Sequence, residues 1–269
     1  MVFVPEVILD EGGLTPTAEP IGKGEGGNPK GDDGKGGKGD QGGKDAGAAS
    51  DKVGGGSVPG PAAGAEDAGG AAPSATAHVV VQAFWLDATE TTVASYRRCV
   101  AAGACSLPDA APGCTLNDGL ETHPVTCVSL EQARVFCTWS HKRLPSGDEH
   151  VAAVTGAVRR PYPWGADAPS ASRLNACGPE CAPAGLYDVA DGFARTAPTS
   201  SFPDGRTPDG AYDLAGNVAE WVEAGPLPMV RGGSYEDVLA SSVSASGARA
   251  FDGAGPWVGF RCAADSAAR

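Results

Sequence analysis

"SFPDGRTPDGAYDLAGNVAEW", residues 201–221, is dense in Pro, Gly, Asn and Asp and shows neither helical nor strand periodicity. Two earlier stretches share that character, "RRPYPWGADAPS" (159–170) and "NACGPECAPAG" (175–185). Loops of this length are uncommon in a compact domain unless something ties them down, and disulfides or bound ions are the usual means. The fold therefore turns on what cross-links these loops.

Working outward, the regular elements lie before them. "AHVVVQAFWLDATE" (77–90) opens with an apolar, β-branched run that suits a strand. In "TTVASYRRCVAAG" (91–103), Val93, Tyr96 and Val100 recur at helical spacing, and Gly103 is a stop signal. "SLEQARVFCTWS" (129–140) places Ser129 and Gln132 as a capping box and sets Ala133, Phe136, Cys137 and Ser140 roughly along one face. "SGDEHVAAVTG" repeats the device with Ser146 and Glu149 and ends at Gly156. "WVGFRCAA" (257–264) predicts one short final strand.

Composition divides the 269 residues unevenly. Residues 11–76 contain no aromatic residue and 21 of the 40 glycines, so they are expected to be a disordered insert that cannot bury enough apolar surface to fold. All eight cysteines, five tryptophans and five tyrosines fall in residues 77–269, a length sufficient for a single core. The net charge of −13 comprises −2 from residues 1–10, −4 from the insert and −7 from the body. Such acidity repels phosphate backbones, which argues against nucleic acid. No apolar run approaches a membrane-spanning length.

Eight cysteines in this body read as a disulfide framework and imply an oxidising compartment, although "MVFVPEVILD" has no features of a signal peptide. Zinc is the competing use, but "CGPEC" is CxxxC and has no partnering pair of the right form. His78, His123, His141 and His150 form no HExxH or other close grouping, and no GxSxG occurs. "GKGEGG" lacks both the flanking strand and the GK[ST] ending of a nucleotide loop.

Six segments, in order, resemble the signatures of the formylglycine-generating enzyme, or sulfatase-modifying factor, family. They are "FWLDATETTVASYRRCV", "HPVTCVSLEQARVFCTWSHKRLPSGDEHVAA", "YPWG", "AYDLAGNVAEW", "RGGSY" and "GFRCAAD", and together they span nearly all of residues 78–265. The resemblance implies an α+β, C-type-lectin-like variant fold with little regular secondary structure. It also places "MVFVP" in the domain's first strand, so that residues 1–10 and 77–265 form one domain around the insert. On that reading the natural chain starts upstream of Met1, with an export signal.

The resemblance further implies two structural calcium sites, chemistry suited to carboxylates and carbonyls. One would use Asn175, the Ala176 carbonyl, Asp191 and the Phe193 carbonyl; the other Asp213, the Gly216 and Val218 carbonyls and Glu220. It pairs Cys137 with Cys262. Proximity suggests Cys99 with Cys105, Cys114 with Cys127 and Cys177 with Cys181, although six cysteines allow 15 connectivities.

Catalytic members of the family hold copper(I) with two cysteines after "GGS", a soft metal on soft ligands. Here Asp237 stands at the first position and Ser241 or Ser242 at the second, so no copper is expected. Ser234 and Arg249 match residues of the family groove, whereas Ala219 and His150 stand where the family carries tryptophan. Two readings follow. One is a non-catalytic, exported binding module with a peptide or protein ligand in a groove beside Arg231, Ser234, Asp237 and Arg249. The other is a formylglycine-generating-type oxidoreductase, or another enzyme using a different constellation in that groove.

Overall fold

The computed structural model describes residues 1–10, 78–109, 111–181 and 184–266. The expected insert, residues 11–76, lies outside the described residues. Strands β1 (Val2–Val4) and β2 (Val7–Asp10) open the chain, followed by β3 (His78–Val81) and β4 (Phe84–Leu86). Three helices come next, α1 (Val93–Ala101), α2 (Leu130–Trp139) and α3 (Gly147–Thr155). Strands β5 (Ala219–Val222), β6 (Met229–Arg231), β7 (Ala248–Ala250), β8 (Val258–Gly259) and β9 (Ala263–Asp265) complete the order.

The strands form three small sheets, β1-β4-β9, β2-β3 and β7-β6-β5-β8, antiparallel except for the β5–β8 pair. Residues 1–10 hold two strands where one was expected. Pro5 stands at the break, and it has no N–H to donate to a ladder. The β2–β3 pair shows period-2 burial: Val7 and Val81 face each other in the interior, while their neighbours Ile8 and Val80 pair in solvent. β5 is buried at every position because β6 and β8 flank it and both of its faces are covered.

Both capping boxes form. Ser129 and Gln132 exchange bonds at the start of α2, as do Ser146 and Glu149 at the start of α3. α3 ends at Gly156, whose φ of 54° lies in the left-handed region. Of the face expected on α2, Ala133, Phe136 and Cys137 are buried, whereas Ser140 is the C-terminal cap. α1 and α2 share one core with Trp221 and Phe260, in which Tyr96 stacks on Phe136 at 5.6 Å. α3 packs into a second core with Val4, Phe84 and Leu86.

The single final strand expected over 257–264 is corrected to two. β8 joins the sheet of β5 and β9 the sheet of β4. Between them Phe260 and Cys262 use their carbonyls to accept from Thr91 and Asp87, so the backbone turns from one sheet to the other without losing its partners.

Four disulfides join Cys99 to Cys105, Cys114 to Cys127, Cys137 to Cys262 and Cys177 to Cys181, and no cysteine is left free. Cys137–Cys262 fastens α2 to the segment entering β9 across 125 positions of sequence. Among the described residues, the loops of 156–218 contain no strand and only two short 3₁₀ turns, so side-chain and backbone bonds between loops hold them.

Candidate functional site

The turn after β6 is the centre of these loop contacts. The carbonyl of Gly232 accepts from Gly216 at 2.9 Å, Tyr235 N–H donates to Asn217 O at 3.0 Å, and Cys177 N–H donates to Asp237 O at 3.1 Å. Segment 231–237 is thereby stitched to both loops expected to bind calcium. Those loops also meet each other. Asn217 N–H donates to Asn175 O at 2.8 Å, and Asn175 Nδ2 donates to Asn217 Oδ1 at 3.1 Å. Gly216 permits that approach: its φ is 78°, and a Cβ there would stand 2.3 Å from Asn175 O.

Ser234, Asp237 and Arg249 come together. Asp237 Oδ2 accepts from Ser234 N–H at 2.8 Å and from its hydroxyl at 3.0 Å, and Arg249 Nη2 lies 3.8 Å from the same oxygen. Arg249 also lies over the Trp257 ring, 4.0 Å from its centroid. Asp237 thus closes its own turn and anchors a cation. Ser241 is exposed and Ser242 half-buried.

Arg231 stands apart from this group. In the β6–β7 register it pairs with Ala248, one position from the Val230–Arg249 pair, so Arg231 and Arg249 project from opposite faces. Arg231 is buried, its Nη1 3.4 Å from the Ala245 and Gly247 carbonyls, and burial lowers its pKa. It is a packing cation rather than a groove residue. Ala219 and His150 are likewise buried. Neither nitrogen of the His150 ring has a hydrogen-bond partner, and burial, then Arg231 and Arg261, hold its pKa well below the usual value.

The first expected calcium site is rich in oxygen and short of protons. Asn175 Oδ1 is buried without a partner. Tyr187 Oη lies 2.6 Å from Asp191 Oδ2, 2.7 Å from Ala176 O and 3.3 Å from Leu174 O, so its one proton faces three acceptors, of which Asp191 Oδ2 also accepts from Ala176 N–H at 3.2 Å. Asp191 Oδ1 accepts from Phe193 N–H at 2.8 Å, holding Asp191 beside Phe193. Burial, then the bond to Asp191, raise the Tyr187 pKa, so the hydroxyl keeps its proton. These donors fit a hard cation, and the Tyr187 hydroxyl is a fifth oxygen that the spacing of the motif did not disclose.

The second site fits by charge more than by free ligands. Asp213 Oδ2 accepts from Ser200 N–H at 2.7 Å. Glu220 is engaged by Arg261, whose Nη2 lies 2.6 Å and Nε 2.8 Å from its oxygens. Glu90, which sequence reasoning missed, is also buried here and accepts from Asn217 Nδ2 at 2.8 Å. Burial, then Asp213 and Glu220, push the Glu90 carboxyl well above its usual range, against the pull of Arg261 and Asn217. Burial likewise raises Asp213 and Glu220. Three buried carboxylates thus face one guanidinium, an imbalance that a divalent cation would offset. Among the described residues, no group of three or more His, Cys, Asp or Glu side chains converges at metal-ligating spacing.

An open cleft lies beside the Asp237 turn, lined by Tyr235, Glu236, Cys177, Cys181, Glu180 and Arg195 among others. Ser234, Asp237 and Arg249 border this region without lining the cleft itself.

The profile of the sulfatase-modifying factor enzyme 1-like domain matches residues 47–266. The chain belongs to that family. Two relatives show the range of sulfatase-modifying factor domains that it resembles. "Inactive C-alpha-formylglycine-generating enzyme 2" of Bos taurus is 34% identical over 167 residues, covering 57% of this chain and 54% of that protein. "Formylglycine-generating enzyme" of Thermomonospora curvata is 31% identical over 184 residues, covering 57% of this chain and 59% of that one. This sulfatase-modifying factor domain thus spans a little over half the length of those relatives. In fold it is similar to PvdO from Pseudomonas aeruginosa, with TM-score 0.53 and 20% identity over 74% of this chain and 88% of that one.

Proposed function

We propose that this domain is a non-catalytic member of its family, a calcium-stabilised and disulfide-bonded module that binds a peptide or protein beside the Asp237 turn. The observation that carries the reading is the chemistry of that turn. Asp237 and Ser241 or Ser242 take the places of the copper-binding cysteines, and all eight cysteines are engaged in bridges. Hard oxygen donors hold copper(I) poorly, and a disulfide sulfur offers no thiolate. Asp237 is moreover committed to Ser234 and Arg249.

Asn175, Ala176, Asp191 and Phe193 would hold one calcium ion, and Asp213, Gly216, Val218 and Glu220 the other. When bound, the ions would supply countercharge and cross-link the loops, with no part in a reaction. The lectin-like description of the fold and an exported location, in keeping with four bridges, belong to the same reading. No helix among the described residues is long and apolar enough to cross a membrane.

Oxygen uptake measured with copper(I) and a cysteine-containing sulfatase peptide tests the reading. No uptake above that of the free metal is expected, and turnover would sink it. The second reading, an enzyme using other residues of the groove, draws on the likeness to the Thermomonospora curvata protein at 31% identity.

A further inference from the structure

We infer that Cys177–Cys181 is a thiol-exchanging bridge at the wall of the cleft, one that reacts with thiols of neutral or positive charge. It starts from a contrast among the four disulfides. Cys114–Cys127 and Cys137–Cys262 are buried at both ends, and Cys99–Cys105 is buried at both ends within the core of α1 and α2. Cys181 alone of the eight cysteines is half-buried rather than buried. It lines the cleft together with Cys177.

The bridge spans four positions of sequence, the shortest separation of the four. A short closed loop constrains the unfolded chain least, so opening it costs the fold little. The local chain is also held without the bridge. Leu186 N–H donates to Cys177 O at 2.7 Å, Cys181 N–H to Gly178 O at 3.0 Å, and Cys177 N–H to Asp237 O at 3.1 Å. Those bonds keep the two sulfurs near each other after reduction, so the bridge re-forms by the reverse exchange when a small-molecule disulfide serves as the two-electron oxidant.

The exchange balances as two thiol steps. An incoming thiolate attacks Cys181 Sγ, the accessible sulfur; the new S–S bond forms as the Cys177–Cys181 bond breaks, and the electron pair leaves on Cys177 Sγ, which takes a proton from water. A second thiol then attacks the mixed disulfide and expels Cys181 as a thiol. The bridge is reduced by two electrons, and two substrate thiols leave as their disulfide.

Charge sets the preference among thiols. Among the described residues, Glu180 and Glu236 line the cleft with Arg195 as the one cation, and the Arg195 guanidinium is drawn also to Asp118 at 3.3 Å. An anionic thiol meets net repulsion there, and a cationic one meets attraction.

The whole protein is exposed to graded cysteamine or 3-mercaptopropionate, alkylated with iodoacetamide and mapped by peptide mass. Rates are taken per thiolate and referenced to the same thiols acting on a small uncharged disulfide. Cys177 and Cys181 are expected to be alkylated at about tenfold lower thiol than any other cysteine. Cysteamine should be several-fold faster than 3-mercaptopropionate at low salt, and 1 M salt or Glu236→Gln should narrow that gap. Opening of another bridge first, or equal rates for the two thiols at low salt, overturns the inference. In Cys177→Ser/Cys181→Ser the remaining six cysteines should stay protected at the same thiol concentrations; their labelling would show the bridge to be structural and sink the inference too.

Discussion

Arg261 shows how one side chain decides the interior of the loop region. Fully buried, it binds Glu220 through two nitrogens and donates to the Asp87 and Tyr212 carbonyls at 3.1 Å and 2.7 Å. Removing it would leave three carboxylates without their cation, so Arg261→Met is expected to cost about 3–5 kcal/mol in urea denaturation. Asn217 joins the same cluster from the other side. Its Oδ1 accepts from Ala197 N–H at 2.8 Å and its Nδ2 donates to Glu90, so Asn217→Leu strands buried partners and should cost about 2–4 kcal/mol by the same measurement. His150 gives a pH dependence. Its pKa is lowered in the folded state, so below the ordinary histidine value the unfolded chain binds the extra proton first. Stability is therefore lost as pH falls from about 6.5 toward the folded pKa. Replacing His150 with Phe should flatten that slope in thermal melts between pH 7 and pH 5; an unchanged slope would show that other groups set it.

Among the elements, the helices were legible in the sequence because their signals are local: two capping boxes, a 3.6-residue spacing and a terminal glycine. Ser129→Ala is accordingly expected to lower stability by about 1 kcal/mol, read as a shift in the denaturation midpoint with unchanged slope. The short strands were less legible. The change of sheet between β8 and β9 does not show in periodicity, whereas Pro5 and Glu6 do interrupt the first apolar run and mark the break there. The candidate site divides in the same way. Asp213 and Glu220 lie within one short motif, and it is the family resemblance that singles them out as ligands, whereas Glu90 and Arg261 reach that cluster, and Tyr187 the other site, through contacts that no spacing encodes. Arg231 is expected in the groove with Ser234, Asp237 and Arg249, and the alternation of β6 sends it to the face opposite Arg249.

At the scale of the whole molecule, cross-links do the work that sheets do in more regular folds. Cys137–Cys262 joins the middle of the chain to its end. The double Cys→Ser variant is expected to lose about 2–5 kcal/mol, and calorimetry should show a correspondingly lower Tm. Calcium would act elsewhere, on the loops that contain residues 175–193 and 213–220. If the two ions bind, exhaustive chelation should lower the Tm and calcium should restore it, whereas identical melts with and without chelator would remove both sites.

The register of β2 and β3 has a practical use. Asp10 pairs with His78, so the chain leaves one rung of a ladder and re-enters on the same rung. Whatever joins those two positions starts and finishes at adjacent points, and closure costs little even for long connections. The rung is thus a geometric splice port: a two-residue Asn-Gly turn, or a cargo domain with neighbouring termini, has the right span to run from Asp10 to His78 without shifting the β2–β3 register.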